Sequence, residues 1–105
     1  METYDIYEVY YHGKIDDNID MKNGVDLFYF VRDNGDWDLV KTYNNEKSAY
    51  KMWDERWSKK AKTEIDEDDN NFFSATIYVF ERTIRDENEE PIDSIDIDGS
   101  VFALD

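Results

Sequence analysis

Between residues 25 and 43 two β-rich runs, VDLFYFVR and DWDLVKTY, flank Asn34 and Gly35. Asn-Gly between alternating hydrophobic positions is a strong short-range hairpin signal. A two-residue turn would pair Val31 with Asp38 and Phe30 with Leu39, mixing charge and hydrocarbon on both faces. A three-residue loop of Asp33, Asn34 and Gly35, with Gly35 left-handed, instead sets Arg32 opposite Asp36, Val31 opposite Trp37 and Tyr29 opposite Leu39. Val25, Leu27, Tyr29, Val31, Trp37, Leu39 and Tyr43 then share one face. A slip of one residue would turn the whole set over, so the three-residue loop is the expected register.

The remaining pattern supplies the partners of this hairpin. Residues 3–12 read as a strand with Tyr7, Val9 and Tyr11 on one face and Tyr4, Ile6 and Tyr10 on the other, which suits an interior place in a sheet or a covered face. Residues 13–24 carry turn formers and little periodicity, with Asn23 and Gly24 turning the chain into the hairpin. After Tyr43, Asn44 or Asn45 is positioned to cap a helix, with Glu46 near the positive end of its dipole. From Ala49 the apolar residues recur every fourth position, through Trp53 and Trp57 to Ala61, flanked by Tyr50 and Met52: one helical face, expected to lie across the sheet. The helix is expected to fray over residues 63–69, where EIDEDD places acids at the negative end of the dipole. Residues 72–85 form a long β-rich run, residues 86–91 a polar turn, and residues 92–98 a strand with Ile95 and Ile97 on one face and Ser94, Asp96 and Asp98 on the other. Residues 101–104 read as a short closing strand. The expected fold is a single α+β domain over residues 1–105, a four- or five-stranded antiparallel sheet with one helix packed on it, in the order β-β-β-α-β-β.

Charge changes the functional picture. The chain has 27 Asp and Glu against 12 Lys and Arg, a formal net charge of -15, yet 40 % of its residues are hydrophobic, too many for a disordered acidic tail. One excess negative charge per seven residues exceeds what solubility asks of a small domain, where a net magnitude of about 2 to 8 suffices. Such a field repels nucleic acid and anionic membranes, so direct binding to either is not expected; a basic protein is the expected partner. Six of the 12 basic residues, Lys47, Lys51, Arg56, Lys59, Lys60 and Lys62, fall on the expected tryptophan helix, where they read as a solvated face rather than a phosphate site. The opening METYDIYEVYY has neither a basic start nor an apolar run, so no signal peptide or membrane span is expected; this and the lack of cysteine suit a reducing cytoplasm.

Catalytic constellations are sparse. His12 is the single histidine and there is no cysteine, so a histidine-rich metal site, a thiol nucleophile and a Ser-His-Asp triad all lack their parts. Ser94, Asp96, Asp98, Gly99, Val101 and Asp105 occupy positions of an EF-hand loop, but Ser stands first, Asp stands last and the approach alternates like a strand. No enzyme, cofactor or metal is expected. The candidate contact residues are instead two acidic runs: Asp66, Glu67, Asp68 and Asp69, and then Asp86, Glu87, Glu89, Glu90, Asp93, Asp96 and Asp98. Alternate side chains on one strand face stand about 6 to 7 Å apart, like neighbouring phosphates, so Asp96 and Asp98 on one face would imitate a nucleic-acid backbone.

In size, acidity and lack of catalytic residues the chain resembles the small inhibitors with which phages disable host defence. Anti-restriction proteins and several anti-CRISPR proteins of this kind occupy the nucleic-acid channel of their target as decoys. The resemblance implies a non-enzymatic inhibitor of a basic, nucleic-acid-binding effector or nuclease, acting in the cytoplasm of a bacterial host. The same charge pattern also suits an immunity protein that neutralises a basic toxin, or an acidic interaction domain of a housekeeping assembly.

Overall fold

Two long antiparallel strands form the spine of the computed structural model, which describes residues 1–14, 18–20, 22–66, 68, 71–100 and 102. β1 (Glu2–Lys14) pairs with β4 (Phe72–Arg85) along its full length, from Glu2 opposite Ile84 to Lys14 opposite Phe72. β2 (Asp36–Tyr43) lies on the free side of β1. The other side of β4 is shared: β3 (Lys62–Ile65) pairs with its first residues and β5 (Pro91–Gly99) with its last. The fold is therefore α+β, a five-stranded antiparallel sheet. Its longest dimension is 49 Å, against 26 and 21 Å.

The sheet is covered by two helices rather than one. α1 (Gly24–Asn34) lies on one face and α2 (Glu46–Met52), which runs on into a π-helical turn (Trp53–Trp57), on the other. This explains why β1 and β4 are apolar on both sides. Tyr7, Val9 and Tyr11 meet Val79, Ile77 and Ala75 under α1, while Ile6 meets Phe80 under α2.

α1 replaces the first strand of the expected hairpin. Asn23 does not begin a β-turn; its side-chain oxygen accepts from the amides of Val25 and Asp26 at 3.1 and 3.3 Å and caps the helix. Leu27 and Val31, four apart, are fully buried, whereas Val25 and Tyr29 point to solvent. Burial of the two aliphatic side chains stabilises the layer by about 1.5 to 3 kcal/mol each. Gly35 is not left-handed; it has φ -85° and its amide closes the last helical turn on the Val31 carbonyl at 2.8 Å. Glycine is needed there for another reason. A Cβ would stand 2.7 Å from the Val31 carbonyl oxygen, 2.8 Å from Val9 Cγ1 and 2.9 Å from the Tyr10 carbonyl oxygen, so the chain could not pass so close to β1. β2 consequently pairs with β1, placing Trp37 opposite Val9, Leu39 opposite Tyr7 and Tyr43 opposite Tyr4.

α2 begins at Asn45, whose side chain accepts from the Ser48 amide at 2.9 Å. Ala49, Trp53 and Trp57 form its buried face, as their spacing predicts. The turn then widens: the Ser58 amide reaches back five residues to the Trp53 carbonyl at 2.9 Å. Trp53 stacks on Phe80 at 5.3 Å, and Trp57 lies 5.4 Å from Tyr78. Ala61 is not on this face; it follows the helix and packs against the cluster under α1. The first three residues of the expected fraying segment, 63–65, are instead the end of β3, in which Lys62 to Ile65 pair with Thr76 to Phe73. The predicted closing strand over residues 101–104 lies outside the described residues except for Phe102, which is buried and not in a strand.

Candidate acidic interaction site

The structure separates the two acidic runs. Asp66 and Asp68 belong to the loop between β3 and β4, while Glu67 and Asp69 lie outside the described residues. Asp86, Glu87, Glu89 and Glu90 form the turn between β4 and β5, and Asp93, Asp96 and Asp98 stand on β5. The turn at residues 86–90 stands at the opposite end of β4 from the loop of Asp66 and Asp68, about 40 Å away at the rise of an extended strand, and the acids of β5 run back only as far as Asp98 opposite Phe80, about halfway along β4. They do not form one surface.

The turn between β4 and β5 is tied down by its own first residue. Asp86 Oδ1 accepts from the amides of Asn88 and Glu90 at 2.9 and 3.0 Å, an Asx-type arrangement. The Asp86 amide donates to the Glu90 carbonyl at 3.0 Å, and Arg85 Nη1 donates to the Glu89 carbonyl at 3.0 Å. Glu89 has φ 66°, a left-handed conformation that costs a side-chain-bearing residue about 1 to 2 kcal/mol. Asp86 thus builds the turn, and Glu87, Glu89 and Glu90 are displayed by it in solvent.

On β5 a bulge changes the expected arrangement. The pairing with β4 shifts between Phe80 opposite Asp98 and Glu81 opposite Asp96, leaving Ile97 as the extra residue. Asp96 therefore turns to the α1 face and Asp98 to the α2 face, so the two do not form a phosphate-like row. Each also has an internal partner: Asp96 pairs with Arg32 of α1, and Asp98 accepts from the Trp53 indole Nε1 at 3.0 Å. Asp93 is exposed on the α2 side beside Ile84. Asp96 and Asp98 join the helices to the edge strand, while Glu87, Glu89, Glu90 and Asp93 remain as the outward array.

Behind this edge lies a charged network that single-strand patterns did not reveal. Asp5 is fully buried; its Oδ2 accepts from Thr83 Oγ1 at 2.7 Å and from Arg85 Nη2 at 3.0 Å. Arg85 Nε donates to Thr3 Oγ1 at 2.9 Å, so one guanidinium joins β1, β4 and the acidic turn. The second Asp5 oxygen has no hydrogen-bond partner among the described residues. Directly opposite Asp5 is Glu81, also buried. Burial, the hydrogen bond with Asp96 and the negative charge of Asp96 push the Glu81 carboxyl up to about 7, against the opposing pull of Arg32. The signal in the sequence was a pair of polar residues on one face of each of two largely apolar strands, informative once the register sets Thr3 opposite Thr83 and Asp5 opposite Glu81.

The basic residues of α2 and the following turn are exposed, as expected, and two have an aromatic partner. Arg56 and Lys60 sit over the Trp57 ring at 4.9 and 5.1 Å from its centroid. His12, at the far end of β1, stacks near Phe72. Among the described residues no three metal-binding side chains are gathered in one place, and no helix is long and apolar enough to cross a membrane. Comparison with protein-family models, with curated proteins and with solved structures finds no match for this chain.

Proposed function

We propose that the protein is a non-enzymatic acidic inhibitor that binds a basic, nucleic-acid-binding protein in the bacterial cytoplasm and competes there with nucleic acid. The observation that carries this reading is the set Glu87, Glu89, Glu90 and Asp93: four exposed carboxylates on a tied turn and an edge strand, in a stretch from Asp86 to Gly99 that contains no basic residue. Because Asp86 and Arg85 fix the backbone, little ordering entropy is lost when a cationic surface meets the array. A net charge of -15 adds long-range attraction for such a surface.

The test begins with capture of the target from the native host, followed by competition. Charge reversal of Glu87, Glu89, Glu90 and Asp93 to lysine should abolish binding while leaving the fold intact. Reversal of Glu64, Asp66 and Asp68, at the other end of β4, should cost much less. Binding should weaken steeply as salt rises, and the target's own nucleic acid should displace the protein. Simultaneous binding of nucleic acid and inhibitor would exclude the competitive reading and leave capture of a basic toxin as the better account.

A further inference from the structure

The sheet ends on β2, and every residue of that strand except half-buried Tyr43 is exposed. Such an edge offers a row of N–H and C=O groups to any strand that can approach it. Its side chains are sorted by face. Trp37 and Leu39, opposite Val9 and Tyr7, lie on the α1 side; Asp36 and Asp38, opposite Tyr10 and Glu8, lie on the α2 side. Trp37 is 41 % and Leu39 47 % exposed, yet the indole is held in place. It meets the Tyr7 ring edge-on at 5.5 Å, and its Nε1 donates to the Arg32 carbonyl at 3.0 Å. On the other side Glu8 stands behind the two aspartates and accepts from the Tyr78 hydroxyl at 2.8 Å. Lys41, farther along β2, sits over the Tyr43 ring at 5.5 Å.

We propose that the β2 edge is a docking site for an extended segment of a partner protein whose side chains alternate between basic and apolar. A strand added beside β2 sends successive side chains to opposite faces. One set would meet Asp36 and Asp38, the other Trp37 and Leu39. Opposite charges across neighbouring strands stabilise the pairing and like charges oppose it, so the same aspartates that admit a basic strand turn away an acidic one. Backbone bonds would supply affinity and the alternation specificity, as in other strand-addition complexes. A second copy of this chain is a poor occupant, since it would bring another net -15 and another Asp36 and Asp38 to the edge. The bulge at Val40, where the β1 pairing shifts from Leu39 to Lys41, marks the far limit of the sorted row. β2 and β5 are on opposite sides of the β1–β4 pair, so this site goes beyond the acidic array and does not depend on it.

The test uses a short end-blocked peptide of alternating lysine and valine, titrated into isotope-labelled protein near physiological ionic strength. Saturable amide shifts should centre on residues 36–40, with slower hydrogen exchange along β2. The double variant Asp36→Lys/Asp38→Lys should bind at least about tenfold more weakly. Asp36→Asn/Asp38→Asn, closer in shape, should fall between it and the native protein. A peptide of the same composition with its lysines in one block should bind poorly. Equal binding by the blocked peptide, shifts centred on the turn at residues 86–90, or unchanged affinity in both double variants would each overturn the proposal. Dimerisation through β2 in sedimentation would overturn it in favour of self-pairing.

Discussion

Beneath α1, β1 and β4 meet through Val9, Ile77 and Val79; farther along the same strands and on the same face they meet through Thr3, Asp5, Glu81 and Thr83. The apolar half is closed by a helix and by non-directional burial, which tolerates small changes of shape. The polar half is closed by hydrogen bonds and by Arg85, and there each group depends on a particular partner. The acidic turn and β5 are attached to the second half. Their rigidity therefore rests on a network that pH and single substitutions can disturb, whereas the bulk of the stability comes from the layers around Trp53, Phe80, Leu27 and Val31.

The contrast is tested most severely at Arg85. Arg85→Met would leave the fully buried Asp5 with Thr83 as its only hydrogen-bond partner among the described residues and should cost about 3 to 5 kcal/mol, the range for breaking a buried ion pair. Adding Asp5→Leu should recover much of that loss, because the unpaired charge is then gone. If the double variant were as unstable as the single in denaturant titration, the polar half would be packing-limited like its neighbour. In the apolar half Leu27→Ala should cost about 2 to 4 kcal/mol by leaving a cavity, with the same loss at pH 5 and pH 8.

Glu81 distinguishes the halves by pH. Its folded-state carboxyl titrates near 7 against an ordinary 4.5, so between those values the folded protein holds a proton that the unfolded chain has released. Stability contributed by this site is greatest at acid pH, falls as pH rises from about 4.5 to about 7, and is level above. Glu81→Gln keeps an amide donor toward Asp96 and has nothing to ionise. Its melting temperature should match the native protein near pH 4.5 and exceed it increasingly up to pH 7, a difference in which the other carboxylates cancel. A constant offset across that range would show that Glu81 does not retain its proton.

The same division explains what could be read from the sequence. β4 was legible to the residue and β1 nearly so, because long β-rich runs between turn formers leave few alternatives. The helix at Asn45 showed its cap, its dipole charge and its tryptophan spacing. α1 did not declare itself, since Leu27 and Val31 are two steps of a strand alternation as well as one turn of a helix, and Phe28 and Phe30 filled the other face in either reading. Only burial separates them: Tyr29 and Val25, which a strand would have put inside, are exposed. β3 was hidden by the acids that follow it. The outward turn at residues 86–90 was visible from composition, but the opposite orientations of Asp96 and Asp98 follow from a bulge at Ile97, and a bulge is a property of two strands together.

The smallest expected effect lies in that turn and separates backbone from charge. Glu89 is the one described residue other than glycine with positive φ. Glycine there would relieve about 1 to 2 kcal/mol of left-handed strain, offset by the roughly 0.5 to 1 kcal/mol that its freer unfolded chain costs. Glu89→Gly should therefore stabilise the protein by about 0.5 to 1 kcal/mol, or a few degrees in melting temperature for a domain of this size. Glu89→Gln removes the same charge but keeps the side chain in the strained conformation, so it should leave the melting temperature nearly unchanged. Both should weaken binding to the captured target to a similar degree, since both take one carboxylate from the array. Equal stabilisation by Gly and Gln would assign the gain to relief of repulsion among Glu87, Glu89 and Glu90, making the turn, like the network behind it, governed by charge rather than by backbone conformation.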